Sequence, residues 1–103
     1  MSTNLVIRPE SLGSEAFRAA HGVRSAYVAG SMVKAIASEE LVIRMARAGM
    51  LSYFGSGGLP LSRVDEGIRR LVEALGPDAP FGVNLLCNTM RPEKEDETVQ
   101  LFL

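Results

Sequence analysis

Ser38-Glu-Glu-Leu-Val-Ile-Arg-Met-Ala-Arg-Ala-Gly49, followed directly by Met50-Leu-Ser-Tyr-Phe54, decides the fold. The first part reads as a helix. Ser38 is a good N-cap, Glu39 and Glu40 stand in the first turn, and Arg44 and Arg47 stand near the end, as the helix dipole favours. Leu41, Met45 and Ala48 form one apolar stripe, which Val42 and Ala46 widen, and Glu40 and Arg44 have i,i+4 ion-pair spacing on the wet side. Gly49 ends the helix. The run from Met50 then reads as a short buried strand that closes on Gly55-Ser-Gly-Gly58.

The same alternation extends in both directions. Upstream, Ala26-Tyr-Val-Ala29 is a short run of strand formers closed by Gly30. Before it, Ser14 caps a short helix over 15–21, with Gly22 as its stop. The first ten residues include Pro9, show no period and read as a loose lead-in. Downstream, Ser62 and Asp65 are spaced as a capping pair. Val64, Ile68, Leu71 and Leu75 step by four, three and four, the cleanest helical stripe in the chain. Asp65 with Arg69 and Glu66 with Arg70 are spaced to pair on its outer face, and Gly76-Pro77 stops it. Phe81-Gly-Val-Asn-Leu-Leu86 is a third apolar run. Pro92, with Glu93, Glu95, Asp96 and Glu97, opens a last helix whose stripe is Val99, Phe102 and Leu103. Strand–helix order repeated three times, with short continuously apolar strands, predicts an α/β fold with a parallel sheet, as an open sheet or a barrel.

Composition bounds the function. The 103 residues are 47% apolar and 22% charged with net charge −1, which suits one globular unit. Eleven basic residues stand against twelve acidic ones without a run of one sign, so no nucleic-acid partner is expected. No apolar stretch approaches membrane-spanning length, and the amino terminus lacks the pattern of a secretory signal. A single cysteine, Cys87, with no partner in the chain, makes a reducing cytoplasmic setting the expectation. A complete (β/α)8 barrel needs roughly 250 residues, so a chain of this length holds only part of one.

In parallel α/β folds ligands lie at the carboxyl ends of the strands. Three segments occupy that place: residues 29–32, residues 55–58 and residues 84–88. Gly55-Ser-Gly-Gly58 is either a flexible turn or a loop that lets backbone N–H groups approach a flat or anionic ligand. Its glycine spacing lacks the third glycine of a dinucleotide fingerprint. Asn84, an amide within an apolar run, needs a hydrogen-bond partner, either neighbouring backbone or a ligand. Met32 reads by default as a core gap-filler. His21 reads as a helix-end or surface residue and Cys87 as a small buried apolar residue. The acidic residues 93–97 are a helix start rather than a metal site, and no metal or Ser/His/Asp set is evident.

Phe17-Arg-Ala-Ala-His-Gly-Val-Arg-Ser-Ala-Tyr27-Val-Ala-Gly-Ser-Met32, continuing through Ile36-Ala-Ser-Glu-Glu-Leu-Val-Ile43, resembles the PfaD-type enoyl reductases of the wider nitronate monooxygenase and flavin enoyl-reductase group. There a Tyr-Val-Ala-Gly-Ala-Met motif precedes Ile-Ala-Ser-Glu-Glu-Leu-Val, and here Ser31 stands where alanine is usual. The resemblance continues through Ala48-Gly49-Met50, Phe54-Gly-Ser-Gly-Gly-Leu-Pro60 and Pro80-Phe-Gly-Val-Asn-Leu85, from about Leu12 onward.

The resemblance implies an FMN enzyme on a TIM-barrel scaffold that reduces enoyl thioesters on an acyl carrier protein. NADPH would be the hydride donor, and the enzyme would act in trans on polyketide or polyunsaturated fatty acid synthesis. It implies that Ala29, Gly30, Ser31, Met32 and Asn84 bind the flavin and that Gly57 and Gly58 lie at the substrate mouth. No catalytic residue is assigned within the chain. Residues 1–25 are then a lead-in with a short helix. Residues 26–103 are the amino-terminal portion of the barrel domain, its first three βα units. The alternatives are a nitronate monooxygenase-like oxidase on the same scaffold and a non-catalytic fragment that self-associates or docks on the remaining barrel. The 103 residues alone are expected to be inactive.

Overall fold

The structure, a computed structural model, describes residues 7–76, 78–86 and 90–103. A 3₁₀ turn, Pro9–Ser11, precedes α1 (Glu15–His21), β1 (Val28–Ala29), α2 (Glu39–Arg47), β2 (Leu51–Phe54), α3 (Leu61–Leu75), β3 (Gly82–Val83) and α4 (Pro92–Phe102). The strands form one parallel sheet in the order β1-β2-β3. Val28 and Ala29 stand opposite Leu51 and Ser52, and Tyr53 and Phe54 stand opposite Gly82 and Val83. The strands lie within the runs that the sequence marks, but β1 and β3 keep only two residues each.

Local chemistry sets most boundaries. The Ser14 hydroxyl accepts the Phe17 N–H at 3.1 Å, and Gly22 ends α1 in the left-handed region at φ 65°. Ser38 caps α2 by accepting the Leu41 N–H at 3.2 Å. Gly49 follows at φ 79°, and its carbonyl accepts the N–H groups of Arg24 at 2.8 Å and Ser25 at 3.1 Å. Of the first ten residues, expected to be loose, Pro9 and Glu10 enter the 3₁₀ turn; further on, Val23 and Ser25 are buried. Ser62 does not cap α3. The helix starts two residues earlier than that cap would place it, at Leu61, with Pro60 at the N-cap and no side-chain cap.

The core is small. Val42, Phe54 and Leu71 are fully buried, ringed by Ala35, Ile43, Leu59, Phe81 and Val83. Burying side chains of this size is worth about 1.5–3 kcal/mol each. On α3 the expected stripe is observed: Val64 and Leu71 are buried, and Ile68 and Leu75 are half-buried. Gly67 lies between them because Phe54 needs the space; a Cβ there would sit 2.7 Å from the ring. On α2 the buried line is displaced from Leu41, Met45 and Ala48 to Glu39 and Val42, because that helix packs against α3 as well as β2. Ser52, inside β2, is also buried, and its hydroxyl has no hydrogen-bond partner among the described residues.

The buried Glu39 is the largest departure from the expected charge pattern. Arg63 Nη2 donates to its Oε1 at 3.0 Å, and Arg63 Nη1 lies 2.8 Å from its Oε2. Arg70 donates to Glu39 at 3.1 Å and to Glu40 at 2.9 Å. Arg70 is thus held by α2 rather than by Glu66, and Glu40 pairs across to α3 rather than with Arg44. The Asp65–Arg69 pair forms as expected, at 3.0 Å. Burial pushes the Glu39 carboxyl up. The Arg63 hydrogen bond, Glu39's own backbone N–H and the charges of both arginines outweigh it and hold the carboxyl below the usual carboxylate value.

Phe54 and Val83, opposite each other, both belong to the helix-covered side. One residue back, alternation turns Tyr53 and Gly82 to the other side. There the Tyr53 ring fills the space that a side chain at position 82 would need. Apolar side chains remain exposed on and beyond the outer strands, among them Tyr27 at 57%, Val28 at 44% and Leu86 at 50%.

Candidate functional site

The carboxyl ends of the three strands meet at one turn, residues 55–58. Gly55 is required by close approach: the Met32 carbonyl oxygen occupies the place of a Cβ. The Ala35 N–H donates to the Gly55 carbonyl at 2.8 Å, the Gly55 N–H donates to Ala37 at 2.9 Å, and the Lys34 N–H donates to Gly57 at 2.7 Å. Gly57 is flanked from both sides, since a Cβ there would lie 2.6 Å from Leu86 Cδ1 and 2.8 Å from Val33 Cγ1. The segments after β1 and β3 thus grip the turn after β2.

Asn84 supplies the polar clasp. Its Oδ1 accepts the Ser56 N–H at 2.8 Å and the Gly57 N–H at 3.3 Å. The Ser56 hydroxyl donates to the Asn84 carbonyl at 2.8 Å. Two backbone donors fix which end of the amide faces the turn, so its NH₂ group points away. That group has no acceptor among the described residues. Of the two partners the sequence allows, neighbouring backbone takes the oxygen, while the nitrogen stays available.

The segment after β1 is more open. Ala29 is half-buried in β1 opposite Ser52, while Gly30 and Ser31 are exposed. Nothing lies within 4 Å of a Cβ built on Gly30, so the protein itself does not require glycine there. Met32 is not a core gap-filler: its side chain is 45% exposed, and its backbone carbonyl makes the packing contact. Lys34 and Ala35 then adopt φ 56° and 59°. Left-handed backbone costs a residue other than glycine about 1–2 kcal/mol.

A cavity of about 480 Å³ opens beside the turn, lined by Ser56, Gly57, Gly58, Asn84, Lys94 and Thr98 among others. Gly57 and Gly58, the expected substrate residues, therefore share a wall with Asn84. His21 is exposed and stacks at a tilt on Phe17, with ring centroids 4.5 Å apart, far from any chemistry. No group of acidic, histidine or cysteine side chains among the described residues could hold a metal. No described helix is long and apolar enough to cross a membrane. Cys87 and Asn88 lie outside the described residues. Ser56 and Lys34 join the site without being marked as candidates by the sequence; a serine enclosed by glycines is the available sign for the first, and none exists for the second.

No protein-family model matches the chain. The polyketide biosynthesis protein PksE of Bacillus subtilis is 40% identical over 97 residues, which are 94% of this chain and 13% of that protein. A polyunsaturated fatty acid synthase component of a Thraustochytrium species is 45% identical over 75 residues, 73% of this chain and 4% of that protein. The crystal structure of the enoyl reductase domain of MlnA, from the macrolactin biosynthesis cluster of Bacillus amyloliquefaciens, superposes with a TM-score of 0.86. It is 32% identical, and the match covers 90% of this chain and 21% of that one. The chain therefore has the α/β architecture of part of an enoyl reductase domain and spans 13% or less of these two biosynthetic relatives.

Proposed function

We propose that the chain is the amino-terminal portion of an FMN-dependent enoyl reductase that reduces enoyl thioesters on an acyl carrier protein in polyketide or polyunsaturated fatty acid synthesis. The observation that carries this reading is the close superposition on a solved enoyl reductase domain at a sequence identity above that of bare fold likeness. The parallel order β1-β2-β3, each strand followed by a helix, supports reading residues 26–103 as the first three units of an eight-stranded barrel. The exposed apolar residues of the outer strands are then covered by the rest of that barrel.

The residues present fit a flavin. Gly30 offers open space beside exposed backbone, Asn84 offers an unpaired NH₂ group, and both belong to strand ends gathered on one turn. In this reading Ala29, Gly30, Ser31 and Met32 form the surface against which the ring lies. Asn84, oriented by Ser56 and Gly57, donates to the ring's acceptor edge. Gly57 and Gly58 add no side chain of their own at the substrate mouth and leave the backbone of the turn to face the thioester. Bound FMN supplies hydride transfer from NADPH to the β-carbon of the enoyl group.

The test uses the longer protein that carries this chain. Purified, it retains a flavin absorbance band and oxidises NADPH only when an enoyl thioester on a carrier protein is added. A colourless protein, or one that turns over a nitroalkane with oxygen and ignores enoyl thioesters, overturns the reading.

A further inference from the structure

Lys34 stands where the candidate site meets solvent. Two consecutive left-handed residues, Lys34 and Ala35, place it there, and the hydrogen bonds of their N–H groups to Gly57 and Gly55 hold them. A glycine or asparagine adopts such backbone at lower cost. The lysine stem lies across the turn: a Cβ on Gly58 would stand 3.2 Å from Lys34 Cγ and 3.5 Å from Cε. The ammonium, one bond further on, has no acidic partner among the described residues. The N–H of Gly58, the residue that the stem crosses, has no acceptor among them either. Gly58 itself is left-handed, at φ 77°. A cation on strained backbone and an unused backbone N–H on the neighbouring glycine form a set of donors with no acceptor among the described residues.

We propose that Lys34 and the Gly58 N–H bind a phosphate group of a ligand entering the site. A phosphate takes both donors at once and neutralises the charge. Backbone strain concentrates where function holds it in place, and here it aims a charged side chain at the turn. The carriers of that phosphate are taken from the reading above, on which the inference rests: FMN, NADPH or the phosphopantetheine arm of the acyl carrier.

The experiment measures dissociation constants of the longer protein for three ligand pairs that differ by one phosphate: FMN and riboflavin, NADPH and NADH, phosphopantetheine and pantetheine. For one pair, Lys34→Gly and Lys34→Gln reduce the preference for the phosphorylated member about tenfold, the worth of a charged hydrogen bond. Lys34→Arg keeps that preference, and the pair affected identifies the ligand. Lys34→Gly also relieves the left-handed backbone, so an unchanged or raised melting temperature shows that loss of affinity is not unfolding. Equal wild-type affinity within all three pairs, or unaltered ratios in both neutral variants, overturns the proposal. Failure to bind either flavin removes the FMN reading instead, and the other two pairs still judge Lys34.

Discussion

The side-chain oxygen of Asn84 accepts the backbone N–H of Ser56 at 2.8 Å, which fastens the end of β3 to the turn after β2. Asn84→Ala leaves the Gly57 N–H without an acceptor and the Ser56 N–H with the Phe54 carbonyl alone, at 3.0 Å, and is expected to cost about 1–3 kcal/mol. Asn84→Asp retains the acceptor and loses the donor. It is expected to keep most of the stability and to weaken flavin binding. Thermal melts read the first effect and flavin fluorescence titration the second. Equal melting temperatures for Asn84→Ala and wild type would show that the clasp is not structural.

Gly55 and Gly30 make opposite predictions from the same substitution. Gly55→Ala drives a methyl group into the Met32 carbonyl and is expected to cost about 3 kcal/mol, at the upper end for an overpacked site. Gly30→Ala meets nothing within 4 Å and is expected to leave the melting temperature unchanged. Any loss of flavin affinity in Gly30→Ala then reports the ligand surface alone.

Much of this is legible in the sequence, and the division follows the range of the interactions. The caps Ser14 and Ser38 and the Val64–Leu71 stripe depend on residues within one or two helical turns, so their spacing suffices. Glu39 reads as a first-turn surface acid because its partners, Arg63 and Arg70, lie 24 and 31 residues away. The three strand ends can be located from their apolar runs, yet their mutual grip cannot, since it turns on the Met32 carbonyl, an atom that every residue carries. The left-handed pair Lys34 and Ala35 bears no sign in sequence, because neither residue prefers that conformation.

Glu39 gives the fold an acid-sensitive joint. Its carboxyl is held below its ordinary value of 4.5 when folded, so the unfolded chain binds the proton first as pH falls. The stabilisation is complete above pH 4.5 and drains away as pH drops through the lower folded value. Glu39→Gln, which keeps the shape and removes the charge, is expected to cost about 2–3 kcal/mol at neutral pH. That is less than a fully buried pair because both arginines are part-solvated. The variant also flattens the acid limb of a stability–pH curve, and an unchanged limb would falsify this assignment.

Ser52→Ala is expected to stabilise rather than destabilise. The hydroxyl is buried inside β2 without a partner among the described residues, so removing it recovers about 1 kcal/mol of desolvation, less any small void. Chemical denaturation with an unchanged m-value checks the sign.

The core cluster of Val42, Phe54 and Leu71 lies between the start of α2 and the end of α3. This middle stretch can gather itself through short chain closures, whereas the two-residue strands on either side have little of their own to hold them. Amide exchange should therefore be graded across the sheet, slowest in β2 and faster in β1 and β3. The ligand surface proposed after β1 would then ride on a strand that opens more readily than its support. A ligand bound there would act as a late brace for the fold as well as a passenger in it.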